Sequence, residues 1–156
     1  MKIAIAQLNY HIGDFEGNLQ KMLEATQMAK DTAADIVVFG ELAVTGYPPR
    51  DFLEFDDFIE KSLEVVARLA KAAIDIAIVV GAPSRNPVVE GKDLFNSAYF
   101  LADGTIQQVE HKALLPTYDI FDEYRYFEPA SSFEVVHYKK VHLITFLCIL
   151  LLFLMQ

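Results

Sequence analysis

Three short apolar runs constrain this chain more than any other feature: "IAIAQL" near the start, "DIVVFGEL" from residue 35 and "IDIAIVVGAP" from residue 74. Runs of this length read as strands buried on both faces. Helical spacing fills the gaps between them. In the first gap Asn18 is placed to cap a helix whose inward positions are Leu19, Met22, Leu23, Thr26, Ala29 and Ala33. In the second, Asp57 followed by Glu60 has the form of a capping box, and Ile59, Leu63, Val66, Ala70 and Ala73 form the inner stripe. Strand, helix and strand in this order make a parallel βαβ unit.

Beyond residue 83 the grammar changes. "NSAYFLADGTIQQVEHK" is two strand-like runs joined by Asp103-Gly104, a strong signal for a two-residue hairpin loop. "PVVEGKD" before it reads as a surface loop, and "SFEVVHY" with "VHLITFLC" as a further pair of strands. The expected class is α/β: parallel and antiparallel strands in one mixed sheet, with helices on one face.

Charge and cysteine usage narrow the function. A net charge of −9 argues against nucleic acid, whose phosphates need Lys and Arg, and against an anionic membrane surface. A single cysteine, Cys148, excludes an internal disulfide and suits the cytoplasm. The four histidines lack zinc-ligand spacing, so no metal is expected. "LITFLCILLLFLM", residues 143–155, is too short to span a membrane, which takes roughly 20 residues. It is also longer than a usual strand of about 5 to 6 residues.

Three residues near expected strand ends carry chemistry. Glu41 follows the second strand, Lys112 closes the hairpin and Cys148 lies in the last apolar run. Open α/β sheets place their sites at such ends. Singly each has a bland reading: a solvated turn acid, a surface lysine, an inert small hydrophobe. Together they suffice for amide hydrolysis without a metal. A carboxylate takes the thiol proton and passes it to a leaving amine, and an ammonium stabilises the oxyanion.

Two long motifs, "GELAVTGYPPRDFL" and "KALLPTYDIFDEYRYFEPA", resemble those of the nitrilase, or carbon–nitrogen hydrolase, superfamily. Within it they are most similar to the glutaminase domain of glutamine-dependent NAD synthetases. The resemblance implies the first half of an αββα sandwich and glutamine as the amide substrate. It makes Glu41 the general base, held by the turn of Gly46, Pro48 and Pro49, and Lys112 the oxyanion donor. Glu123 becomes the second glutamate that orients the lysine, and Tyr118 and Phe121 line the glutamine pocket. Cys148 falls at the nucleophile position, ten residues after Tyr138. There the wording is Leu147-Cys148-Ile149-Leu150, where the family has a Glu-Asp pair after the cysteine.

The match fades from about residue 139, so residues 1–148 are expected to form a partial hydrolase domain and 149–156 an apolar tail. A truncated homologue, poorly soluble and with little glutaminase activity, is the expectation. No cofactor is expected in this domain; ATP and magnesium would belong to an absent synthetase domain. The intact family implies a homo-oligomer. Two alternatives stay open: a stand-alone hydrolase of another amide, and a non-catalytic fragment serving as an interaction module or held by its tail.

Overall fold

The computed structural model describes residues 1–143 apart from 89, 119, 120, 133 and 140. Cys148 and the apolar tail of residues 149–156 lie outside the described residues. Five strands form one sheet in the order β1-β2-β3-β4-β5: Ile3–Ile5, Ile36–Val38, Ala77–Arg85, Leu94–Ala102 and Thr105–His111. The first three run parallel, and β4 and β5 return antiparallel. The mixed sheet is the one the apolar runs predict. Asp103 and Gly104 join β4 to β5 with φ of 53° and 77°, the left-handed pair that a tight hairpin loop needs.

Strand alternation divides the sheet into two faces. Val37, Ile78, Val80, Ala82, Tyr99 and Leu101 point to the side covered by α1 (Phe15–Asp31) and α2 (Asp56–Ala72). Leu19, Met22, Val66 and Leu69 come down from the helices to meet them, each at most 1% exposed. Burying a side chain of this size is worth about 1.5–3 kcal/mol. Ile36, Ala77, Val79, Phe100 and Ala102 point the other way.

Both helix starts differ from expectation. Asp14, not Asn18, caps α1 by accepting from the Gly17 N–H. Asn18 lies inside the helix with no exposure, because its amide is engaged elsewhere. Ala33 lies beyond the helix, at φ 55°. Phe55 occupies the cap of α2 without any side-chain hydrogen bond, so Asp57 and Glu60 form no capping box. The helix begins two residues earlier than that pattern requires, with Phe58 and Ile59 packed against Leu42, Leu53, Leu94 and Phe127.

Two strand expectations also change. Strand β1 is not buried on both faces, since Ile3 and Ile5 are 47% and 56% exposed. It is the sheet's edge, and register with Ile36 and Val38 turns both side chains to the face away from the helices. The last pair of strands, β6 (Val136–Tyr138) and β7 (Val141–Leu143), is a separate two-stranded sheet and does not extend the mixed one. Val136 and Tyr138 lay this hairpin against the second face, with the Tyr138 ring edge-on to Phe100 at 5.4 Å. It leaves Ile3 and Ile5 uncovered among the described residues.

Candidate active site

Strand β2 ends at Val38, and the chain crosses to β3 before it turns. Phe39 donates to Val79 O, Gly81 donates to Gly40 O, and Val44 donates to Gly81 O. Residues 41–45 therefore form a tight turn pressed flat on β3. Leu42 takes a φ of 47°, a left-handed conformation that a leucine holds only when its surroundings impose it. Gly81 makes the approach possible. A Cβ there would lie 2.4 Å from Leu42 N and 2.7 Å from Glu41 Cα.

Asn18 ties the far side of the same turn. Its amide donates to His11 O at 2.8 Å and Val44 O at 3.3 Å, while its oxygen accepts from the His11 N–H. Tyr47-Pro48 is a cis peptide that leads the chain on to a 3-10 turn over Arg50–Glu54. The "TGYPP" wording thus sits where the chain turns away from the sheet.

Lys112 follows β5 directly and is held by main-chain bonds on both sides. Its N–H donates to Asn96 O at 2.8 Å, and its carbonyl accepts from Ala130 N–H at 3.1 Å. Glu123 opens the short helix α3 (Glu123–Tyr126), and its N–H donates to Pro116 O. Phe127, at the end of that helix, packs in the same buried cluster as Leu42. One apolar cluster therefore anchors the neighbours of both glutamates.

These elements bring three charged side chains together in the protein interior. The Nζ of Lys112 donates to Glu41 Oε1 at 2.6 Å and to both oxygens of Glu123 at 3.0 and 2.8 Å. Glu41, Lys112 and Glu123 are 9%, 5% and 6% exposed. Asn96, on β4 and fully buried, donates from Nδ2 to Glu41 Oε1 and to Glu123 Oε2, the latter at 3.3 Å. Strand register turns Gly81, Asn96 and Ala98 to the face opposite the helices, so the cluster lies on that side.

Burial sets the electrostatics. One ammonium beside two carboxylates leaves a net negative charge in a medium that solvates it poorly. Glu123 responds, its carboxyl pushed up to about 7 by burial and then by the Glu41 charge, against the pull of Lys112 and Asn96. Burial alone would lower Lys112, but the two glutamates outweigh it and hold its ammonium above the ordinary lysine value. Burial, then the charges of Glu123 and Glu41, push the Tyr47 hydroxyl up as well. Near neutrality the cluster holds a proton that it can give up or take back.

A cavity of about 410 Å³ opens beside Glu123, lined by Tyr47, Arg50, Asp51, Phe121, Asp122 and Arg125 among others. Phe121 is a wall of it, 6.5 Å from the Tyr47 ring. Tyr118 is 60% exposed and meets the cavity only through its ring contact with Phe121 at 5.7 Å. Among the described residues no group of three or more His, Cys, Asp or Glu is arranged to hold a metal ion.

So Glu41, Lys112 and Glu123 converge, Phe121 lines the adjoining cavity, and Cys148 lies outside the described residues. Sequence reasoning missed Asn96 and Gly81, and it gave Asn18 the role of a helix cap in place of its tie to the Glu41 turn. The glycine inside the apolar run "IDIAIVVGAP" is a signal for Gly81, because an isolated glycine in a strand marks close backbone approach. Asn96 had none beyond being polar in an apolar strand.

The chain is similar in sequence and fold to several known proteins. The family model described as carbon-nitrogen hydrolase matches residues 2–148. A glutamine-dependent NAD(+) synthetase of Synechocystis sp. is 43% identical over 150 residues, covering 94% of this chain and 27% of the relative. One from Thermotoga maritima is 36% identical over 136 residues, covering 87% and 23%. The chain thus spans about a quarter of the length of these curated relatives. Among solved structures, glutamine-dependent NAD+ synthetase from Acinetobacter baumannii superposes with a TM-score of 0.80 at 36% identity, over 87% of this chain and 25% of that one. An amidase from Nesterenkonia sp. shares the fold, with a TM-score of 0.72 at 21% identity over 88% and 51%. With its matched residues carrying a buried Glu-Lys-Glu cluster, the chain belongs to the carbon-nitrogen hydrolase family.

Proposed function

We propose that this chain hydrolyses the side-chain amide of glutamine, releasing ammonia, with Cys148 as nucleophile and with turnover well below that of the intact synthetases. One observation carries the reading: the buried Lys112 ammonium lies 2.6 Å from Glu41, with Glu123 closing the other side. A structural ion pair needs one carboxylate. Two around one amine, with a proton held near neutrality, suit acid–base work.

The Cys148 thiol gives its proton to Glu41 as sulfur bonds to the amide carbon. An N–H of Lys112 stabilises the oxygen, which gains the electron pair. On collapse the C–N bond breaks, and the proton on Glu41 passes to nitrogen, so ammonia leaves and a thioester remains. Glu41 then takes a proton from water as its oxygen attacks. Expulsion of the sulfur regenerates the thiol and yields the carboxylic acid. Every group needed comes from a side chain, so this domain needs no cofactor; ATP and magnesium would serve a synthetase domain.

Two features support glutamine over a simple amide. The synthetases that this chain resembles are glutamine-dependent by name. The cavity beside Glu123 also presents Arg50 and Arg125 with Asp51 and Asp122, both signs of charge for a zwitterionic amino acid. Phe121 and, at its edge, Tyr118 supply the aromatic wall. The expectation of low turnover rests on the sequence, where Ile149 and Leu150 follow Cys148 in place of the Glu-Asp pair that the family resemblance implies. A cytoplasmic location and homo-oligomeric assembly go with this reading.

The test is ammonia release by the purified full chain with glutamine and with propionamide, alongside labelling of Cys148 by a chloroketone analogue of glutamine. Slow release from glutamine, with labelling lost in Glu41→Gln and Lys112→Ala, is expected. Labelling indifferent to both substitutions overturns the roles assigned here. Faster release from propionamide moves the chain to the hydrolases of other amides.

A further inference from the structure

We propose that Asn96 is a positioning residue of this site: its amide clamps the Glu41 and Glu123 carboxylates together, so that Lys112 can turn an N–H to the substrate oxygen without either acid moving. The oxygen-binding part rests on the hydrolase reading; the clamp is a property of the chain itself.

The argument begins with the three N–H groups of the lysine. Nζ of Lys112 faces Glu41 Oε1 and both oxygens of Glu123, so its donors are all directed at carboxylates. Stabilising an oxyanion requires one to be released, and the second contact to Glu123 is the surplus one. Two carboxylates that share a weakened counter-charge repel each other, and a side chain free to rotate would swing away. Asn96 opposes that. Its Nδ2 donates to Glu41 Oε1 and Glu123 Oε2 together, bridging the acids independently of Lys112.

The orientation of this amide is dictated by its neighbours. Both facing atoms are carboxylate oxygens, which accept from Nδ2 and repel Oδ1. The consequence is visible on the other side: Oδ1 of Asn96 is buried without a hydrogen-bond partner among the described residues. A buried acceptor left unpaired is unfavourable, and an apolar residue at this fully buried position would avoid it. The donor pair toward the glutamates is what the position gains in exchange. Asn96 also fixes the lysine backbone, since its carbonyl accepts from Lys112 N–H at 2.8 Å. The remaining titratable and charged groups facing the pair are Lys112, Tyr47 and, beyond it, Arg50.

The test needs no substrate. In the isotopically labelled full chain, both side-chain amide protons of Asn96 are expected to shift with pH, with a midpoint near 7 that follows the Glu123 carboxyl carbon. Amide resonances flat between about pH 5 and 9 overturn the clamp. In Asn96→Ala the Glu123 midpoint rises by about one pH unit, and Asn96→Ser, which keeps one donor, lies between. An unchanged midpoint in Asn96→Ala overturns it equally. Should Asn96→Ala fail to fold, the wild-type amide titration decides alone. A chain that shows these shifts yet releases no ammonia keeps the clamp and loses the hydrolase reading. One that releases ammonia with neither shift loses the clamp only.

Discussion

Nζ of Lys112 lies 2.6 Å from Oε1 of Glu41 across 71 positions of chain, with both side chains buried. Removing one partner of such a pair costs about 3–5 kcal/mol, because an unpaired charge is left inside. Lys112→Met leaves two acids without their cation and is expected to destabilise the full chain by that order in urea unfolding. Adding Glu123→Gln removes one stranded charge, and the double variant should recover part of the loss. Strict additivity of the two substitutions would mean that Lys112 and Glu123 do not interact.

Glu123 makes stability depend on pH with a definite sign. Its ordinary value is 4.5 and its folded value about 7, so between these the folded state holds the extra proton. Stability therefore declines as pH rises through that window, and the loss is complete above the folded value. His111 acts in the opposite direction. Burial lowers it from 6.5, against the pull of Glu110, so its contribution grows as pH rises toward its ordinary value. Glu123→Gln isolates the first effect. Relative to wild type, it should gain stability steadily from about pH 5 to 8 in urea midpoints. Parallel curves for the two proteins would remove the proton from Glu123.

Gly81 is expected to tolerate no side chain. Its missing Cβ is 2.4 Å from Leu42 N, so Gly81→Ala must push the turn off β3. Overpacking of this kind costs about 1–3 kcal/mol. The local signature is faster hydrogen exchange at Val44, whose N–H bonds Gly81 O. Unchanged exchange at Val44 would show that the turn does not rely on this glycine.

Asn18→Ala should loosen the same turn from its other side. It removes the bonds to His11 and Val44 and leaves their carbonyls short of a donor, at about 1–3 kcal/mol. Gly104→Ala is the control. Its φ of 77° makes alanine costly by about 1–2 kcal/mol, yet the hairpin loop lies apart from the acids. Global stability should fall in both variants, with Val44 exchange accelerated beyond the global change in Asn18→Ala alone.

Much of this molecule was legible in the order of its residues, for physical reasons that act locally. Alternation and helical spacing depend on near neighbours, so the strands and helices were predicted from "DIVVF", "IDIAIVVGAP" and the stripe from Ile59 to Ala70. Asp103-Gly104 specified a hairpin because few other pairs accept two left-handed residues. Glu41, Lys112 and Glu123 stand out through the long motifs around them, which resemble those of a known family. Tertiary structure decided the rest. That β1 is an edge with Ile3 and Ile5 open, and that β6 and β7 form their own sheet, depends on which surfaces meet. Asn18 left its expected cap because a turn 26 residues away needed its amide. Asn96 carries no signal of its own at the head of a strand-like run, and only the fold sets two carboxylates beside it. Local pattern states what a segment prefers, but a buried polar group has meaning only through the partners that folding brings within reach.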